Sequence, residues 1–165
     1  MIWPAVAILG FVTLQRLVEL RLADRNSKRL LAQGAIEYGR GHYAFIVALH
    51  MAWLGALWWS APAQPISLAW LGAFALLQFG RIWVIAALGG RWTTRIIVVP
   101  RAPLVATGPY RFVSHPNYLI VTAEIAVLPL VFGLWKFALA FSLLNAILLW
   151  IRIREENKAL GRLRR

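Results

Sequence analysis

His115, Tyr118, Arg152, Glu155 and Glu156 are the residues of this chain whose types and spacing could do chemistry. The first two close the run Gly108-Pro109-Tyr110-Arg111-Phe112-Val113-Ser114-His115-Pro116-Asn117-Tyr118. The other three lie in Arg152-Ile153-Arg154-Glu155-Glu156, one apolar hairpin later. Proline suits the first turn of a helix and biases the residue before it away from helical backbone, so His115 should sit at a helix N-terminus. The free backbone N–H groups of such an end favour a carboxylate or a phosphate. Tyr118 can line the same pocket, and Gly108-Pro109 can turn the chain so that Tyr110 and Arg111 fold back over it. The competing reading is an interfacial turn with ordinary aromatic anchors. Arg152, Glu155 and Glu156 are spaced i, i+3 and i+4 and share a face if the last helix continues. As an exposed salt bridge they would contribute under about 1 kcal/mol. Two acids near a helix C-terminus oppose its macrodipole, however, and Arg before Glu is the weaker order, which argues for a second role. Together the two motifs read as the walls of a cofactor site at a membrane surface.

The elements that must position these groups are apolar. The chain has 165 residues, 61% hydrophobic and 15% charged, the composition of an integral membrane protein with a single domain over residues 1–165. Nine Trp and four Tyr suit the membrane interface. Five segments approach the 20 or so residues needed to cross roughly 30 Å of hydrocarbon. They are Ile2 to about Leu20, Tyr43 to Trp59, Ile66 to Leu88, Tyr118 to Phe132, and Trp135 to Ile151. The last two are short and joined by Gly133-Leu134, which predicts a tight helical hairpin kinked at Pro129. The expected fold is therefore all-α, with about five transmembrane helices and a cytoplasmic cofactor cleft. The first segment has an uncharged start and runs into a charged amphipathic stretch, so it is expected to remain as a span rather than be cleaved as a signal peptide.

Sixteen Lys and Arg would share one side of the membrane if all five segments cross: six in Arg16–Arg40, four in Arg91–Arg111 and six in Arg152–Arg165. The opposite loops hold only Lys136. This distribution predicts an outside N-terminus and a cytoplasmic C-terminus, and places both polar motifs on the cytoplasmic side. The net charge of +12 is thus read as positive flanks that attract anionic membrane lipid, not as a nucleic-acid surface. The absence of Cys excludes disulfides, thiol catalysis and thiolate metal sites, and the dispersed His42, His50 and His115 make no metal site. Arg81, Gln78, Glu124 and His50 lie at apolar depth, where polar groups are costly unless paired or functional. Arg81 and Glu124 are expected to pair; the alternative is that they line a polar channel. Gln15–Leu20 should close the first span at the interface, and Glu37, His42 and Tyr43 should open the second. The β-branched Arg95–Pro100 stretch is a short strand or an extended loop. Neither a Gly-x-Gly-x-x-Gly after a strand nor a Walker loop occurs, so a nucleotide-like cofactor would not use a Rossmann fold.

Gly108-Pro109-Tyr110, His115-Pro116-Asn117-Tyr118 and Arg152 with Glu155-Glu156, in this order around a hairpin, resemble the isoprenylcysteine carboxyl methyltransferase family, over nearly the whole chain. Gln15–Leu20 with Gly34–Glu37, and Arg91–Arg95 with Pro100, are similar to a bacterial branch linked to polyketide-lipid methylation, which implies a bacterial inner membrane. The resemblance implies S-adenosyl-L-methionine as cofactor in a cytoplasmic cleft and a lipophilic small-molecule or prenylated acceptor entering from the bilayer. It assigns Tyr110, Arg111, His115, Pro116, Tyr118 and Glu155 to the cofactor, and Arg152 and Glu156 to the reacting centre. Where the family usually has Arg before His-Pro, this chain has Ser114, and Arg111 is the expected substitute. A phenolic or enolic lipid such as an alkylpyrone or alkylresorcinol is the favoured acceptor, with Glu156 as base. An isoprenylcysteine carboxylate needs only orientation, by Arg152. The alternatives are phospholipid N-methylation, an NADPH-dependent reductase of the sterol-reductase type, and a non-enzymatic membrane scaffold.

Overall fold

The computed structural model describes residues 2–100, 102–103 and 105–163; Arg101, Arg164 and Arg165 of the basic clusters lie outside the described residues. In chain order the elements are α1 (Trp3–Ala32), β1 (Ile36–Tyr38), α2 (Arg40–Ser60), α3 (Leu68–Leu88), β2 (Ile96–Val98), α4 (Pro116–Val131) and α5 (Trp135–Leu163). Short 3-10 turns cover Gly89–Arg91 and Gly108–Arg111.

The helix boundaries follow the residues that make and break them. Pro116 occupies the first turn of α4, and His115 before it has a non-helical backbone with φ −132°. Pro129 lies in the last turn, where the helix is about to end at Val131. Gly133, at φ +68°, then reverses the chain into α5, a conformation that glycine adopts without a Cβ penalty. The tight hairpin expected from Gly133-Leu134 is therefore present.

Among the described residues, three helical stretches are long and apolar enough to cross a membrane: Arg40–Ser60, Leu68–Arg91 and Trp135–Ala159. The apolar α4 is shorter, 16 residues or about 24 Å at the helical rise. Exposed Phe45, Leu68, Leu76 and Phe79 fit a lipid-facing surface. The first helix departs from the expectation of a simple span. It is apolar only to about Leu14, roughly 18 Å of helix, and then continues as a charged helix to Ala32. Its apolar half packs Leu9 and Val12 against Trp53 and Leu57 of α2, Phe74 of α3, and Ile125 and Leu128 of α4. Trp53 Nε1 donates to the Ile125 carbonyl at 3.3 Å, which satisfies the ring's polar atom inside that core.

One turn below this core lies an ionic cluster. Arg81 Nε donates to Glu124 Oε1 at 2.7 Å, and a second, shorter bond joins Nη2 to Oε2. The expected Arg81–Glu124 pair thus forms, and it is wider than a pair. Arg16 Nη2 reaches Glu124 at 2.6 Å, while Arg16 and Arg81 both bind Glu19, at 2.7 and 3.2 Å. Gln78 Nε2 adds a bond to Glu124 at 3.0 Å. Arg16 and Glu19, from the stretch expected to close the first span, thus join Arg81 and Glu124 in a cluster of two cations and two anions between the helices. This arrangement lets the charged middle of α1 pack against α3 and α4.

β1 and β2 form an antiparallel two-stranded sheet with Ile36, Glu37 and Tyr38 opposite Val98, Ile97 and Ile96. The strand option for Arg95–Pro100 is thereby realised. Its partner β1 was not expected from sequence. The sheet ties the α1–α2 connection to the α3–α4 connection at one end of the bundle.

Candidate functional site

At that end, the long α3–α4 connection, the start of α4 and the last turns of α5 enclose a cleft of about 620 Å3. This size lies within the range of small-molecule sites. Tyr110, His115, Tyr118, Arg152 and Glu156 line it together, so two motifs 34 or more residues apart share one wall.

The hydrogen bonds among them have a single consistent direction. A guanidinium only donates, so Arg152 Nε donates to Tyr118 Oη at 2.9 Å. Tyr118 in turn gives its one proton to Glu156, in a short hydrogen bond. Arg152 Nη2 donates to the Thr94 carbonyl at 2.8 Å, and the guanidinium also lies over the Tyr118 ring, 5.4 Å from its centroid. His115 stacks on Tyr118 with centroids 5.1 Å apart, and its Nδ1 is 3.9 Å from Glu156. Arg152 is only 8% exposed, and among the described residues it pairs with no carboxylate. A buried guanidinium whose carboxylate Glu156 is reached only through the Tyr118 hydroxyl is suited to receiving an anion. Burial, and secondarily the Glu156 carboxylate, push the Tyr110 phenol up to about 12, so it is a neutral hydrogen-bond donor at neutral pH.

The other sequence candidates lie elsewhere. Pro116 is buried and sets the start of α4 without lining the cleft. Arg111 is exposed, its guanidinium 5.9 Å from the Phe112 centroid, and is outside the lining. The Arg side chains in the lining are Arg91, Arg95 and Arg152. Glu155 is also outside the lining and binds Lys158 at 2.8 Å, so only the second acid of the pair faces the cleft.

Thr94, Arg91, Trp92 and Asn117 were not assigned to the site from sequence. Arg91–Arg95 carries part of the resemblance without a role of its own, and Asn117 lies between Pro116 and Tyr118. Trp92 and Asn117 bear on whether a polar cofactor fits. Both line the cleft, and Trp92 Nε1 and Asn117 Oδ1 are buried without a hydrogen-bond partner among the described residues. A donor and an acceptor left open in one wall, beside aromatic rings, a carboxylate and cations, suit a ligand with ring nitrogens and an amino-acid end. Such a donor set fits S-adenosylmethionine. No group of three or more His, Asp or Glu able to hold a metal ion occurs among the described residues.

Residues 70–162 match the isoprenylcysteine carboxyl methyltransferase family, an interval that contains every residue of the cleft wall named above and no part of α1 or β1. An uncharacterized protein of Bacillus subtilis, YpbQ, is 40% identical over 166 residues, covering 97% of this chain and 96% of that protein. An uncharacterized protein of Haemophilus influenzae is 28% identical over 160 residues, covering 90% of each chain. No solved structure gives a significant match.

Proposed function

Because the chain belongs to the isoprenylcysteine carboxyl methyltransferase family of integral membrane methyltransferases, we propose that it is an S-adenosylmethionine-dependent O-methyltransferase acting on a lipophilic acceptor. The favoured acceptor is an alkylpyrone or phenolic lipid; an isoprenylcysteine carboxylate is the alternative within the same chemistry. The observation that carries the reading is the Arg152–Tyr118–Glu156 array in a cleft with open polar atoms.

When bound, S-adenosylmethionine supplies an electrophilic methyl group on a sulfonium centre. His115, Tyr118 and Tyr110 would hold the cofactor through ring faces and hydrogen bonds, and Pro116 would fix the helix end beside them. Arg111 and Glu155, outside the lining, have no part in this assignment. Arg152 orients the acceptor oxygen and stabilises its negative charge. Glu156 accepts the proton of an acceptor hydroxyl as general base, and the Tyr118 hydroxyl holds that carboxylate in place. A carboxylate acceptor is already ionised and leaves Glu156 with an orienting role only. The walls of the cleft exclude water and align the two reactants, which is most of what such a displacement requires. The whole of residues 1–165 acts as one domain in this reading, with the N-terminus outside, the C-terminus and the cleft cytoplasmic, and anionic lipid around the basic end.

Calorimetric titration of detergent-purified protein with S-adenosylhomocysteine and, separately, NADPH tests the cofactor class. Binding of the first alone, weakened by His115→Ala, is the expected result. Binding of NADPH alone would move the chain to a reductase. Transfer of a tritiated methyl group to 5-pentadecylresorcinol, compared with a farnesylcysteine, then distinguishes the acceptors.

A further inference from the structure

Arg152 is held from a side of the cleft to which no role has been assigned. Its Nη2 donates to the carbonyl of Thr94 at 2.8 Å, and the Thr94 hydroxyl is hydrogen-bonded to the Tyr43 hydroxyl at 2.9 Å. Thr94 lies in a bend between the 3-10 turn and β2, so no helix or sheet ladder fixes its peptide plane. Tyr43 sits in the first turn of α2, a rigid element. The Tyr43 ring is itself clamped by the Arg95 guanidinium, 5.3 Å from its centroid, and Arg95 reaches Glu37 of β1 at 3.5 Å. A chain of contacts therefore runs from α2 and the sheet through Thr94 to Arg152, and on through Tyr118 to Glu156.

The chain matters because of what it leaves open. Arg152 commits Nε to Tyr118 and Nη2 to Thr94, and among the described residues Nη1 makes no hydrogen bond. The guanidinium is planar and rigid, so two fixed corners fix the direction of the third. We propose that Tyr43 and Thr94 are positioning residues that aim the open Nη1 edge of Arg152 at the acceptor oxygen. The role in the reaction rests on the methyltransferase reading; the hold on Arg152 does not.

The experiment therefore has two arms, using the full-length protein in detergent. In the first, phenylglyoxal labelling of Arg152 is followed by mass spectrometry in wild type, Tyr43→Phe, Thr94→Val and Thr94→Ser. Arg152 is expected to be protected in wild type and in Thr94→Ser, which keeps the hydroxyl, and to label faster in the other two. Equal labelling in all four overturns the proposal. In the second arm, tritiated methyl transfer to 5-pentadecylresorcinol and to a farnesylcysteine is measured with S-adenosylhomocysteine affinity as control. Tyr43→Phe and Thr94→Val should lower kcat about 10- to 100-fold, the scale of a misaligned reacting group, with cofactor affinity unchanged and Thr94→Ser near wild type. A wild-type kcat in Tyr43→Phe and Thr94→Val overturns the role in the reaction. If the wild-type protein methylates neither lipid, the methyltransferase reading is what fails, and the labelling arm still decides whether Tyr43 and Thr94 hold Arg152.

Discussion

Tyr118 has one hydroxyl proton, and Arg152 obliges it to point that proton at Glu156. Removing the hydroxyl in Tyr118→Phe frees two neighbours at once. Methyl transfer should fall roughly 100-fold in kcat, in the range seen when one positioned polar group is lost from a reacting centre. Affinity for S-adenosylhomocysteine, measured by calorimetry, should change much less because the ring face remains. Glu156→Gln separates the acceptors: it should abolish most transfer to a phenolic lipid, about 10²- to 10⁴-fold, since it removes a general base. Transfer to a carboxylate should survive. At this scale much of the site was legible, since Tyr118, Arg152 and Glu156 stand out as polar types beside apolar runs. Two things were hidden. Adjacent positions on a helix differ by about 100°, so spacing alone did not say whether Glu155 or Glu156 enters the cleft. Thr94 contributes a backbone carbonyl, which every residue has and which no side-chain type announces.

The elements that carry these residues have their own weak points. Gly108 starts the turn that delivers Tyr110, with φ +57°, and a Cβ there would stand 3.0 Å from the Ala87 Cβ and 3.3 Å from Trp83 Nε1 of α3. Gly108→Ala should cost about 1–2 kcal/mol from the left-handed backbone alone, read as a lower unfolding temperature and a weaker S-adenosylhomocysteine isotherm. The ionic cluster predicts a sharper contrast. Arg81→Leu leaves the carboxylates of Glu19 and Glu124 to share the single cation Arg16 of the cluster and should destabilise by roughly 3–5 kcal/mol, the cost of an uncompensated buried charge. Arg81→Leu combined with Glu124→Leu leaves Arg16 and Glu19 paired and should recover much of that loss in thermal unfolding. The Arg81–Glu124 pair was legible because both residues interrupt apolar helices. The share of Arg16 and Glu19 was not, since their positions after an apolar run look like an interface and their partners lie on distant helices. β1 escaped for a similar reason: three residues between two helices carry no period, and only pairing with β2 makes them a strand.

Taken whole, the molecule puts its sheet, its cleft and much of its basic surface at one end of the helices. The absence of Cys makes the orientation directly measurable. With single cysteines placed at exposed Gln64 and Arg25, a membrane-impermeant maleimide should label Gln64→Cys in intact cells and Arg25→Cys only after permeabilisation. The reverse pattern would put the cleft outside. The helical, membrane-embedded character was legible from hydropathy, which is a property of composition, and so was the charged stretch that follows the first apolar run; that the two form one helix to Ala32, buried in part by other helices, was not, because such burial is a property of the assembled bundle. The sheet also bears on the order in which a nascent chain becomes useful. β1 leaves the ribosome two membrane helices ahead of its partner, and Arg152 and Glu156 come nearly last. During synthesis the first strand waits unpaired, the start of α4 waits without its acid, and no truncated product carries a complete cleft. Competence arrives in one step, when the final helix folds back.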